Sequence, residues 1–131
     1  MRKVLGLVAL LLTGCPGDRG EKSEAAAIDR AIDALREAPN DQKSGALAAL
    51  RALPCSQAEI CGAQSACVAG YELYVSGITE LERTKKLAAS GDGGPELGAA
   101  LSSAQATLER AKPLTERCAD GQGELARKYR L

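Results

Sequence analysis

Five cysteines, Cys15, Cys55, Cys61, Cys67 and Cys118, have the widest choice of chemistry in this chain. Histidine is absent from all 131 residues, so no thiol or hydroxyl has an imidazole to activate it, and an enzyme is not expected. Cys55, Cys61 and Cys67 are each separated by five residues, and Cys118 lies far beyond. Four thiolates could in principle hold a metal, but zinc sites favour tighter C-x₂₋₄-C pairs, often with histidine. The C-x-x-C spacing of a redox dithiol is also missing. Neither metal nor cofactor is expected. Apart from Cys15, an even set of four reads as two disulfides, provided that the chain is exported.

The amino terminus supplies that condition. Arg2 and Lys3 form a positive start, Val4 to Leu12 (VLGLVALLL) form an apolar run, and the small pair Thr13-Gly14 leads into Cys15. Charge, apolar run and small residues in that order make a secretory signal, too short to span a bilayer as a helix. Leu12-Thr13-Gly14-Cys15 resembles the lipobox of bacterial lipoprotein signal peptides, over residues 1–15 only. The resemblance implies that residues 1–14 are removed and that Cys15 becomes the acylated first residue. Such an anchor carries two or three acyl chains, enough for stable attachment when each buried CH₂ contributes roughly 0.8 kcal/mol.

Charge narrows the partners. Taking Arg2 and Lys3 from the 17 basic residues leaves 15 against 17 acidic ones, a net charge of −2. No positive field is left to gather phosphates, so nucleic acid is not an expected partner. Pro16 to Glu24 (PGDRGEKSE) is polar and holds two glycines and a proline. Together with Cys15 it reads as a flexible tether over residues 15–24, with an r.m.s. span on the order of 15–18 Å. Residues 25–131 then form one domain.

Residues 25–131 read as all-α. Phenylalanine and tryptophan are absent, and Tyr71, Tyr74 and Tyr129 are the only aromatics. Alanine, leucine and charged helix formers dominate. Ile28, Ala31, Ile32 and Leu35 fall at helical intervals, with Ser23 as a cap and Pro39-Asn40 as the end. Asp41 can cap a second helix carrying Leu47, Leu50 and Leu53, stopped by Pro54. Ser56-Gln57-Ala58-Glu59 fits the S-x-x-E capping box. A long helix is predicted from there to about Ala89, with the seam Ile60, Gln64, Cys67, Tyr71, Tyr74, Ile78 and Leu81 stepping by threes and fours. Ser90-Gly91-Asp92-Gly93-Gly94 breaks it, and Pro95 suits the first turn of the next helix. That helix carries Leu97, Leu101, Ala104, Leu108 and Ala111. Pro113 is expected to kink it, and Gly121 and Gly123 to interrupt it. The architecture predicted is a small bundle built on a long antiparallel hairpin, residues 57–89 with 95–118, stapled by disulfides because its core is lean.

Hairpin register ranks the three disulfide pairings. About a turn centred near Asp92, Cys67 lies 25 residues before and Cys118 lies 26 after. Equal rise brings them level, which favours Cys67–Cys118 and leaves Cys55–Cys61. Pairing Cys61 with Cys67 is disfavoured, since six residues of helix rise about 9 Å. Cys55–Cys61 is awkward if the helix begins at Ser56, so Cys55–Cys67 with Cys61–Cys118 stays open.

Other features read blandly. The Ser90–Gly94 loop lacks the Gly-Lys-Ser/Thr ending of a phosphate cradle. Glu80 and Glu82 point to different sides of a helix and do not form an acid/base pair. Arg127, Lys128 and Arg130 read as a solvated basic tail. The expected function is a non-enzymatic envelope lipoprotein, held by Cys15 at the periplasmic face of the outer membrane and serving as an interaction or accessory domain for an envelope protein. The alternative is a small-ligand or substrate-binding module using a groove beside Tyr71 and Tyr74.

Overall fold

The computed structural model describes residues 17–131; the expected signal peptide and Cys15 lie outside the described residues. Four helices and no strands make up the described residues: α1 (Gly17–Glu37), α2 (Lys43–Ala52), α3 (Ala58–Ser90) and α4 (Gly94–Tyr129). The all-α class and the long antiparallel hairpin are as expected. α3 and α4 pack along each other, and both predicted disulfides are formed, Cys55–Cys61 and Cys67–Cys118. Gly91 ends α3 in the left-handed region at φ 74°, where a side chain would be strained. Pro95 sits in the first turn of α4.

Small residues set the hairpin spacing. Ala63, Gly70, Gly77 and Thr84 repeat every seven residues on α3 and are buried. Ala104, Ala111, Cys118 and Leu125 do the same on α4. A heptad repeat keeps one seam facing the partner helix. The approach is close: Cys67 and Cys118 have Cα atoms 4.4 Å apart.

The larger residues of the expected α3 seam sit at the edge of that strip, and α1 and α2 cover those from Ile60 to Tyr74. Ile60, Gln64, Cys67 and Tyr71 are buried, and Tyr74, Ile78 and Leu81 are half-buried. The four-helix core joins Ile28, Ile32 and Leu35 of α1 to Leu47 and Leu50 of α2, and to Ile60, Cys67, Tyr71, Cys118 and Leu125 of the hairpin.

Three local expectations are corrected. Residues 17–24 are not tether but the first two turns of α1, with Ser23 inside the helix. Their docking explains this: Glu24 accepts from the Ser56 N–H at 2.7 Å and its hydroxyl at 2.9 Å. Lys22 Nζ donates to the Arg130 carbonyl at 3.3 Å. The Ser56/Glu59 capping box is not formed, because Ser56 is engaged by Glu24 and Glu59 pairs with Lys128. Nor does Asp41 cap α2; its N-cap is Gln42, without a side-chain bond.

α4 also runs unbroken through Pro113, Gly121 and Gly123 to Tyr129. Pro113 is exposed, so the carbonyl deprived of its N–H partner faces water. Register is kept across the proline, and Cys118 stays level with Cys67. Glu124 to Tyr129 therefore belongs to the same helix and packs beside the start of α1.

Candidate interaction surface

The core ends well before the hairpin does. On α3 its outermost member is Val75, and on α4 it is Cys118. Ser76 to Ser90 continue for 15 residues, about 22 Å at 1.5 Å per residue, as a two-helix arm with α4. Inside the arm the buried residues are small: Gly77, Thr84, Ala104, Thr107 and Ala111. Leu87 and Leu101 remain 36% and 40% exposed near its tip. Leu97 to Leu108 (LGAALSSAQATL) carries no charge, whereas the facing stretch of α3 holds Glu80, Glu82, Arg83, Lys85 and Lys86. One flank of the arm is thus neutral and small-surfaced, the other charged.

The expected site residues separate into distinct places. Cys67 and Cys118 are fully buried, at 0% and 1% exposure, where the arm meets the core. Cys55 and Cys61 are half-buried at the α2–α3 junction. All four are oxidised in pairs, so no thiolate among them is free to bind a metal or attack a substrate. Tyr71 and Tyr74 stack edge to face with ring centroids 5.9 Å apart. The space beside them is not an open groove. Lys43 of α2 fills it, with Nζ 5.9 Å from one ring centroid and 5.8 Å from the other.

Nothing in the sequence marks Lys43 as special, and its role is structural. It is only 6% exposed. Its Nζ donates to the carbonyls of Leu35 at 3.0 Å and Arg36 at 2.9 Å, the orphan acceptors at the carboxyl end of α1. Burial lowers its pKa from 10.5, while the two carbonyls and two ring faces favour the ammonium. Gln64 does the same for α2, donating to Leu50 and Leu53 carbonyls at 2.8 Å each. Gln122 links α4 to α1, donating to Asp29 and Asp33 carboxylates at 2.9 and 2.8 Å and accepting from Arg36.

An open cleft lies one turn beyond the tyrosines, at the shoulder where the α1–α2 connection meets the arm. It measures about 570 Å³, with Val75 and Ile78 on its floor and Asp41, Glu82, Arg83 and Lys86 on its rim. It is the size of a small-molecule site, though wide open to solvent and without buried convergent polar groups.

The described residues thus define a disulfide-stapled all-α protein whose hairpin outreaches its core. Comparison with protein-family models, with curated proteins and with solved structures found no match.

Proposed function

We propose that this chain is a lipid-anchored protein of the bacterial envelope, whose exported domain is a non-enzymatic module offering the hairpin arm to an envelope protein. The anchoring half of the reading rests on Arg2, Lys3, the apolar run and Leu12-Thr13-Gly14-Cys15. Two disulfides are compatible with an oxidising compartment outside the cytoplasm, and no helix among the described residues is long and apolar enough to cross a membrane. The observation that carries the interaction half is the arm itself. Two helices project past the core with leucines exposed at their tip and a twelve-residue uncharged stretch on α4. Such a surface suits another protein's apolar side chains.

Photo-crosslinking in native envelopes tests it. One crosslinker replaces Leu101 on the uncharged stretch of α4, and a control replaces Glu124 near the opposite end of the same helix. We expect a discrete adduct from position 101 and none from position 124. Equal, diffuse labelling from both would overturn the reading. Acylation is read separately, from the mass of the amino-terminal peptide, with Cys15→Ser as control.

The shoulder cleft supports a second reading as a small-ligand module. Its floor gives a direct test: Ile78→Trp would fill the cleft, and a ligand whose binding survives that change does not use it.

A further inference from the structure

The face of the hairpin that carries α1 and α2 is covered along only part of its length. Steps of seven residues trace that face along each helix. On α3, the line through Ile60, Cys67 and Tyr74, which meets the four-helix core, runs on to Leu81 and Ala88. The line through Gln64 and Tyr71 runs on to Ile78. On α4, Gln122 bonds Asp29 and Asp33 of α1, and its line runs back through Thr115 to Leu108 and Leu101. Past the shoulder the same face stays open: Ile78, Leu81 and Leu108 are half-buried, and Leu101 is 40% exposed. The opposite face of the arm is polar, with Glu80, Arg83 and Ser103 along its groove. An apolar strip on one face alone suits a covering layer like the one that α1 and α2 supply lower down.

The step at the shoulder selects the occupant. α1 and α2 form a layer one helix thick, roughly 10 Å, which stops at the α1–α2 connection. Past it the arm is a two-helix layer with its apolar strip on the same side. Two copies laid face to face with their arms antiparallel therefore interlock as a half-lap joint, each tip entering the other's shoulder cleft. The open face and the arm that fills it match in length, since both are set by Ser76 to Ser90, about 22 Å. With the arms parallel, the two α1–α2 layers would collide and hold the arms roughly 20 Å apart. We propose that a second copy of this chain covers the open face of the arm in the antiparallel arrangement. This names the partner of the surface proposed above, and rests on that reading.

The two-fold axis then passes near Leu81 and Ala104, which stand level because Gly77 meets Leu108 and Cys67 meets Cys118. Leu101 of each copy lies across from Leu108 of the other. α4 faces α4, and the uncharged stretch Leu97 to Leu108 puts no like charges across the axis. Glu82 comes near its counterpart on α3 and is neutralised within each copy by Lys85 at 2.9 Å. The face measures about 22 Å by two helix diameters, on the order of 900 Å² over both copies. That is the range of small, transient interfaces, so the dimer is reversible.

Sedimentation reads the association and crosslinking reads the arrangement. The chain from Cys15 to Leu131 contains every described element, and as Cys15→Ser it keeps only the four paired cysteines. Between about 1 μM and about 1 mM chain we expect a reversible monomer–dimer equilibrium. Leu101→Glu, at a position already exposed, should weaken it about tenfold or more, because the charge enters the interface twice. Ala106→Glu, on the outer side of the same helix, should leave it unchanged. In a mixture of plain and isotope-labelled chains, a photo-crosslinker at position 101 should join one copy to the other at α4 around Leu108. Crosslinks to α3 around Thr84 of the other copy would mean parallel arms and overturn the proposal. So would a chain that stays monomeric over the whole range, or a dimer indifferent to Leu101→Glu. Failure of the wider reading looks different. In native envelopes, a discrete adduct between position 101 and a different protein removes the second copy but keeps the arm as an interaction surface, whereas equal, diffuse labelling from positions 101 and 124 removes both.

Discussion

Glu24 on α1 caps the amino end of α3 across the bundle, taking the Ser56 N–H at 2.7 Å and its hydroxyl at 2.9 Å. The backbone bond from Ser56 is the main reason that the Glu24 carboxyl titrates below its ordinary value of 4.5. A depressed carboxyl stabilises the fold above its unfolded pKa, and that stability is lost as pH falls through the lower folded value. Glu24→Gln should therefore lower the melting temperature near neutrality, and the gap from the parent should close as pH drops below about 4.5. A constant gap across that range, in thermal melts followed by circular dichroism, would mean that the charge is not what matters.

Gly70 should be the least replaceable residue of the hairpin. A methyl group on its Cα would stand 2.8 Å from the Leu114 carbonyl carbon and 2.9 Å from the Thr115 nitrogen, and backbone cannot step aside as a side chain can. Overpacking of this kind costs about 1–3 kcal/mol, against roughly 1 kcal/mol gained from the better helix propensity of alanine. Gly70→Ala should lose stability in urea unfolding. Gly121→Ala is the matched control, since its methyl would meet Ala63 at an ordinary 3.6 Å; that change should be neutral or slightly stabilising.

The hairpin is legible in the sequence because both of its signals are local or regular. Gly91 to Pro95 mark the turn, and equal distances from it place Cys67 opposite Cys118. The strip Ala63, Gly70, Gly77 and Thr84 is equally regular, yet a search for large apolar residues passes over it. The helix ends are what the sequence conceals. Glu24 caps α3, Lys43 caps α1 and Gln64 caps α2, each from another helix and 7 to 33 residues away. Local rules look for a cap within three residues of the end, and so they select Ser23, Asp41 and the Ser56/Glu59 box instead. The basic tail reads as merely solvated for the same reason: nothing local announces that Arg130 lies beside Lys22. Lys43 likewise closes the tyrosine face from a helix that periodicity alone does not place.

Lys43→Met keeps the aliphatic stem but leaves the Leu35 and Arg36 carbonyls without their donor. We expect a loss of about 1–3 kcal/mol, the usual penalty for buried polar groups left unsatisfied. The pH dependence has a definite sign. Burial lowers the Lys43 pKa from 10.5, so the unfolded chain binds this proton more tightly and the contribution of Lys43 to stability grows as pH rises toward that value. The gap between parent and Lys43→Met should widen on the alkaline side in denaturant titrations. A gap that narrows would place the dominant interaction on the ammonium's charge rather than on its hydrogen bonds.

The two disulfides should differ in both accessibility and weight. Cys67–Cys118 closes a sequence separation of 51 and is sealed from solvent, whereas Cys55–Cys61 closes only 6 and is half-buried. Loop-closure entropy assigns about 4 kcal/mol to the first and about 2 kcal/mol to the second in the chain-entropy model. For a domain with a total of roughly 5–15 kcal/mol, the first loss is severe. Graded reductant followed by alkylation and peptide mapping should label Cys55 and Cys61 first, in a fold that still melts cooperatively. Cys67→Ala with Cys118→Ala should lower stability about twice as much as Cys55→Ala with Cys61→Ala. Should the buried pair be reduced first, the hairpin must open readily around Cys67 and Cys118, and the close seam around Gly70 would not be the rigid element that its packing implies.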